Sequence, residues 1–291
     1  MSEVISKEAV EEKITQNVLN SLEQTPDPRL KTIMTALISH LHGFVREVEL
    51  TEAEWFYAIQ FLTRVGQMCD DKRQEFILLS DTLGVSMLVD AINHPSNEGN
   101  TENTVFGPFY RGGAQELPLG ANISQDGKGE PAVVRGRVLN TKGEPIANAL
   151  LDVWETNENG LYEQQDPDQP DMNLRGKFHS DNQGIYYFVG IKPVSYGIPT
   201  DGPVGEMLRG TARHPFRPAH IHLLVSAEDY APVTTHLFVR GDEYLGSDAV
   251  FGVKDSLIVD FVQNDSVEEA ARYQLKAPFY TVEYDFILKP Q

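Results

Sequence analysis

Cysteine is nearly absent from this sequence: Cys69 is the only one among 291 residues. No disulfide can form within the chain, which fits a reducing cytoplasm. Cys69 falls in an apolar helical pattern with no obvious basic neighbour, so a buried structural thiol is expected rather than a reactive one. Positive charge is also scarce, with 24 Lys and Arg against 43 Asp and Glu and a formal net charge of −19. That balance argues against nucleic acid and anionic membrane surfaces as partners. It does not exclude a small organic anion in a locally basic pocket. Long apolar runs are missing too; none approaches the roughly 18 residues that cross a bilayer. The opening Met1-Ser2-Glu3-Val4-Ile5-Ser6-Lys7-Glu8 lacks the basic-then-apolar order of a signal peptide. A soluble cytoplasmic protein is expected, without internal repeats or low-complexity tracts.

What is present divides by hydrophobic period. Asp27-Pro28 places an N-cap before a proline at the first helical position. Leu30, Ile33, Met34, Leu37, Ile38, Leu41, Phe44 and Val45 then follow the helical template. Thr51 with Glu54 forms a capping box ahead of Phe56, Ile59, Leu62 and Val65. Residues 76–92 read as a further helix. A polar connector, His94-Pro95-Ser96-Asn97-Glu98-Gly99-Asn100, ends this part. From about Ala132 the period becomes two: Val134, Gly136 and Val138 alternate, and Asn140-Thr141-Lys142-Gly143 turns the chain into Ala149, Leu151 and Val153. Further strands are expected at 185–188, 222–225, 236–239 and 256–261. The expected fold is mostly β, an antiparallel β-sandwich with an N-terminal α-helical region. Its divisions are a helical region at 1–95, a linker and loop at 96–131, and the sandwich at 132–291.

His220 and His222 are one residue apart at the mouth of the apolar run Ile221-His222-Leu223-Leu224-Val225. On a strand they point to the same side, as half of a metal site would. His40 and His42 have the same spacing, but on a helix such residues diverge by about 200°, so that pair is expected at the surface. Most of the eleven tyrosines, among them Tyr57, Tyr186, Tyr187 and Tyr284, lie in apolar patterns and read as core. Tyr162 and Tyr196 instead sit in loops beside Gly160 and Gly197. A bound cation of high charge would hold a phenol as phenolate. Two phenolates, two neutral imidazoles and one hydroxide balance a ferric ion, so such a site can be buried. Zinc does not need phenolates. A zinc or Fe(II) cupin using only the histidines stays open on spacing alone, as does a sandwich module that merely binds sugar or protein.

Longer motifs carry a resemblance. Asp152-Val153-Trp154-Glu155-Thr156-Asn157 leads to Tyr162, and Arg175-Gly176 precedes Asp181 and Gly184. Pro199, Asp201-Gly202-Pro203, Arg217-Pro218-Ala219-His220-Ile221-His222, Gly241-Asp242 and Ser247-Asp248-Ala249-Val250 follow. Together, and across nearly the whole chain, these resemble the intradiol ring-cleaving dioxygenases. The resemblance implies one Fe(III) per subunit, ligated by Tyr162, Tyr196, His220 and His222. It implies that Tyr196 is the ligand released when substrate binds, and that Arg217 steadies negative charge. The reaction implied opens an aromatic diol with O2 between its hydroxylated carbons, giving a dicarboxylic acid. A homodimer through the N-terminal helices, with lipid in an apolar channel at that interface, is a further implication.

The substrate-facing loop contains Val105-Phe106-Gly107-Pro108-Phe109, where catechol-cleaving members more often carry an Ile-Glu-Gly-Pro-Leu sequence. This form resembles the hydroxyquinol-cleaving branch, which acts on benzene-1,2,4-triol. Asp81, beside Leu78, would accept a hydrogen bond from the third hydroxyl; without the resemblance it reads as a solvated helix position. Ile198, Pro199 and Val250 match other pocket positions of that branch. His236 departs from the glutamine of many catechol-cleaving members and is expected behind the ligands rather than among them. Catechol or chlorocatechol remains the alternative substrate.

Overall fold

The computed structural model describes residues 6–70, 73–95 and 99–291. The first five residues and positions 96–98 of the polar connector lie outside the described residues. The chain forms two compact units, Met1–Thr63 and Arg64–Gln291.

The first unit holds helices α1 (Lys7–Ser21) and α2 (Pro28–Glu47) and the start of α3 (Glu52–Gln67). Both expected caps form. The Asp27 carboxylate accepts from the backbone N–H groups of Arg29 and Leu30 at 2.8 and 3.2 Å. Glu54 accepts from the Thr51 N–H at 2.9 Å, and the Thr51 hydroxyl accepts from the Glu54 N–H at 3.3 Å. The apolar stripe of α2 is largely uncovered; Leu37 and Phe44 are 53% and 51% exposed. Tyr57, expected in the core, is exposed as well. His40 is exposed as expected, whereas His42 is half-buried and approaches the Thr15 hydroxyl at 3.0 Å.

In the second unit, the helix expected over 76–92 is two helices, α4 (Glu75–Thr82) and α5 (Val85–Asn93). Gly84 breaks it with a left-handed backbone, φ 73°. Cys69 lies past the end of α3, half-buried, rather than buried within a helix. Then come β1 (Pro131–Asn140), β2 (Leu150–Trp154), β3 (Arg175–His179), β4 (Ile185–Ile191), β5 (Tyr196–Gly197), α6 (Pro203–Gly210), β6 (Phe216–Arg217), β7 (His220–Ser226) and β8 (Val233–Val239). The C-terminal part adds β9 (Ile258–Val259), β10 (Val262–Asn264), α7 (Val267–Arg272), β11 (Phe279–Glu283) and β12 (Phe286–Leu288). The strand expected at 256–261 is replaced by a 3-10 turn, Asp255–Leu257, and the short β9.

One five-stranded sheet runs β10-β11-β1-β12 with β4 on the other edge of β1; a second runs β3-β2-β7-β8-β9. Two expectations are corrected. The sheets are mixed rather than antiparallel, because β1 pairs parallel with β11 and β12, and β8 with β9. At about 31% helix and 22% strand among the described residues, the fold is not mostly β. Both sheets feed one apolar core: Val134, Phe188 and Phe286 from the first, Leu151, Phe178, Leu223 and Leu237 from the second, all fully buried. Each such side chain contributes on the order of 1.5–3 kcal/mol by leaving water.

Candidate metal centre

The alternation of β7 separates structure from chemistry. Ile221, Leu223 and Val225 enter the shared core. His220 and His222 face the opposite side, as period two requires. Register continues the site sideways: Trp154 of β2 stands opposite His222, and His222 opposite His236 of β8. Trp154 stacks on the His222 ring at 4.7 Å and 12°. The other donors arrive on turns. Tyr162 follows Gly160, whose φ of +75° suits glycine and whose missing Cβ would lie 2.7 Å from the Tyr196 Cβ. Tyr196 pairs with Arg217 across β5 and β6. Gly107, at φ +77°, brings the loop against the His222 edge; a Cβ there would be 3.2 Å from Cε1.

These elements bring four donors together. The Tyr162 and Tyr196 hydroxyls are 3.4 Å apart, and the Nε2 atoms of His220 and His222 are 3.2 Å apart. Arg217 joins the two pairs, its Nη1 lying 3.5 Å from the Tyr196 hydroxyl and 3.2 Å from His220 Nε2. All five side chains are buried. His220 Nδ1 is 2.7 Å from the Pro218 carbonyl. A carbonyl only accepts, so Nδ1 carries the proton and Nε2 presents its lone pair inward. Burial pushes both imidazoles well below the ordinary histidine range, and the Arg217 charge adds to this. Both are therefore neutral, as a metal ligand must be. Burial raises the Tyr162 phenol well above its usual value, with Arg217 and Arg175 opposing, so deprotonation there requires a strong nearby positive charge.

His220, His222 and His236 cluster with ligand atoms within 4.8 Å. Yet His236 Nε2 meets His222 Nδ1 at 2.7 Å, the ring nitrogen that does not face His220 Nε2. Its Nε2 is thereby engaged with His222, while its ring lies 4.7 Å from that of His220.

Arg217 is 3% exposed, so its charge needs built partners. Asp248 holds it, Oδ1 accepting from Nε at 3.1 Å and Oδ2 from Nη2 at 3.4 Å. Asp248 also accepts from the backbone N–H groups of Val250 and Gly252. Burial opposes the guanidinium charge, but Asp248 and the two tyrosines outweigh it, so Arg217 stays charged. Asp81 is 3% exposed, not solvated. Burial raises its carboxyl above the usual range, while the Ser86 hydroxyl and Arg217 pull it down.

Among the expected pocket residues, Leu78, Pro108, Phe109 and Pro199 line a cavity of about 180 Å³, together with Arg73, Glu75 and Gln164. Phe109 stacks on Tyr162 at 4.7 Å, so the cavity wall adjoins the donor set. Val105, Ile198 and Val250 are buried. Phe106 is 42% exposed and packs on Tyr110 and Trp154 instead. Neither Trp154 nor Asp248 has a role legible from spacing; both stand in motifs quoted above, and register or a loop closure gives them their work.

A buried donor set of two phenols and two neutral imidazoles, beside a fixed guanidinium, defines a metal-dependent enzyme site. Residues 105–290 match the family described as Dioxygenase, and residues 27–101 the one described as Catechol dioxygenase N terminus. The chain belongs to the intradiol ring-cleavage dioxygenases, metal-dependent enzymes of aromatic diols. It is 51% identical to a hydroxyquinol 1,2-dioxygenase of Rhizobium sp. over 96% of this chain and 95% of that one. A solved hydroxyquinol 1,2-dioxygenase from Pseudomonas putida DLL-E4 superposes with a TM-score of 0.91 at 51% identity, covering 98% of this chain and 100% of the other. For catechol 1,2-dioxygenase of Acinetobacter radioresistens the TM-score is 0.86 at 28% identity, covering 98% and 94%. Family membership sets aside the cupin and the non-catalytic binding module. No described helix is long and apolar enough to cross a membrane.

Proposed function

We propose that this enzyme opens hydroxyquinol, benzene-1,2,4-triol, by intradiol cleavage with O2, giving 3-hydroxy-cis,cis-muconate and its tautomer maleylacetate. The observation that carries the choice of substrate is the buried Asp81 carboxylate near Arg217. A diol offers two hydroxyls to the metal, and a third needs an acceptor inside the protein; an unpaired buried polar group costs about 1–3 kcal/mol. The names of the relatives at 51% identity support the same substrate.

Tyr162, Tyr196, His220 and His222 are the residues to hold Fe(III), one per subunit. Two phenolates and two neutral imidazoles suit a hard trivalent ion better than zinc or copper. When bound, the ferric ion supplies Lewis-acid activation of the diol toward O2. The protein does the rest. Tyr196 Oη takes a proton from the incoming diol. Arg217, held by Asp248, faces the Tyr196 hydroxyl and would steady the negative charge left on the substrate as its proton goes to Tyr196. Leu78, Val105, Gly107, Pro108, Phe109, Ile198, Pro199 and Val250 enclose the ring and exclude water, with Asp81 on the third hydroxyl.

The wider organisation belongs to the same reading: a helical region at 1–95, a linker with the substrate-facing loop at 96–131, and a β-sandwich catalytic domain at 132–291. The core shared by two sheets supports the sandwich. The uncovered apolar side chains of α2 and α3 support a homodimer with bound phospholipid, and a cytoplasmic location is proposed with it. Anaerobic titration with benzene-1,2,4-triol and with catechol, followed in the visible, tests substrate and metal together. The triol should perturb a tyrosinate charge-transfer band at lower concentration than catechol; tighter response to catechol or a chlorocatechol would favour those substrates instead.

A further inference from the structure

We infer that Arg175 is a positioning residue that couples the Tyr162 phenol to the loop enclosing the substrate. The inference rests on the proposed roles of Tyr162 and of the 105–109 loop. Arg175 opens β3 and is 3% exposed, so its charge must be matched by built partners. Its Nε donates to both Glu163 carboxylate oxygens at 2.9 Å. Its Nη2 donates to the Phe109 carbonyl at 2.8 Å. The guanidinium carbon lies 5.7 Å from the Tyr162 ring centroid, within reach of a cation–π attraction. Glu163 is the residue after Tyr162, and the Phe109 ring stacks on Tyr162 at 22°.

One guanidinium therefore grips the turn that carries the phenol, the end of the loop that stacks on it, and the phenol ring itself. A pair needed only to neutralise Glu163 is already present: Arg111 donates to Glu163 Oε1 at 2.7 Å from a partly exposed position. What Arg175 adds is the bond to the Phe109 carbonyl, and with it a mechanical link between loop and phenol. Only a planar fork makes these contacts at once; a lysine ammonium on a flexible stem does not. Movement of the loop on substrate entry is transmitted to the angle of the Tyr162 ring, and the position of that ring sets where the loop rests.

The test uses the iron-loaded full chain and the variants R175K and R111Q. R175K should keep its iron content and melting temperature, yet shift the tyrosinate charge-transfer band and raise KM for benzene-1,2,4-triol about ten-fold, the loss of one good hydrogen bond. Its kcat should fall less. R111Q, which weakens only the outer pairing of Glu163, should leave band and KM near wild type. If R175K does not fold, the E163Q/R175Q double variant removes both buried charges together and is read in the same way. An unshifted band with unchanged KM in the folded variant overturns the inference. Iron-loaded wild type without any tyrosinate band would instead sink the ligand assignment, before any variant is compared.

Discussion

His236 stands beside His222, its Nε2 2.7 Å from the Nδ1 of that ring and opposite it in the β7–β8 register. The contact engages Nδ1, leaves His222 Nε2 facing His220, and fixes the plane of the ring. Hydrogen bonds of this kind set the tautomer of a ligating histidine. Replacing His236 by leucine should weaken metal binding roughly 10- to 100-fold. H236Q, which keeps a hydrogen-bonding group at that position, should recover most of it. Competition with a chelator measures both; equal affinity in H236L and wild type would remove His236 from the site.

Tyr162→Phe or His222→Ala should abolish visible colour and ring cleavage together, because each deletes one of four converging donors. Metal analysis alongside the visible spectrum checks this. Either variant retaining full iron and full turnover contradicts the ligand set.

Asp81→Ala should lower kcat/KM for the triol by roughly 10- to 100-fold, the loss of a hydrogen bond to a charged group. Turnover of catechol, which lacks the third hydroxyl, should change far less. Parallel kinetics on the two substrates decide it, and equal losses on both would take Asp81 out of the specificity argument.

Glu155 is wholly buried; its Oε1 accepts from the Ile191 N–H at 3.1 Å while Oε2 finds no hydrogen-bond partner among the described residues. Burial pushes its carboxyl from 4.5 up to about 8. Between those values the native state holds a proton that the unfolded chain has released. The stability from this group is therefore complete below pH 4.5 and declines as pH rises toward 8. The slope is about 1.4 kcal/mol per pH unit at most. Glu155→Gln should flatten it, which denaturant titrations at mildly acid and mildly alkaline pH would reveal. Identical slopes for wild type and variant would assign the pH dependence elsewhere.

Much of the fold was legible because its signals are local. The caps at Asp27 and Thr51 form where their side chains predict, and the alternation along β1, β2, β7 and β8 marks strands that are there. The misreadings also have local causes. Apolar spacing runs on through Gly84, so the left-handed residue that splits α4 from α5 left no gap in the pattern. Tyr57 sits in an apolar pattern, but that pattern describes a stripe on a helix and not what covers it. Parallel pairing of β1 with β11 and β12 joins segments far apart in sequence, and alternation is the same for either direction.

By itself the sequence offered the candidates: the same-side pair His220 and His222 and the loop tyrosines stand out by residue type and short spacing, and Arg217 through the longer motifs that carry the resemblance. Only the tertiary structure decided what surrounds them. Trp154, His222 and His236 form one row because three strands share a register, and Asp248 reaches Arg217 through a loop closure. Arg175 touches Phe109 and Glu163 because a strand end meets two turns. Such contacts depend on where distant segments pack, a global property of the core that short-range periodicity does not encode.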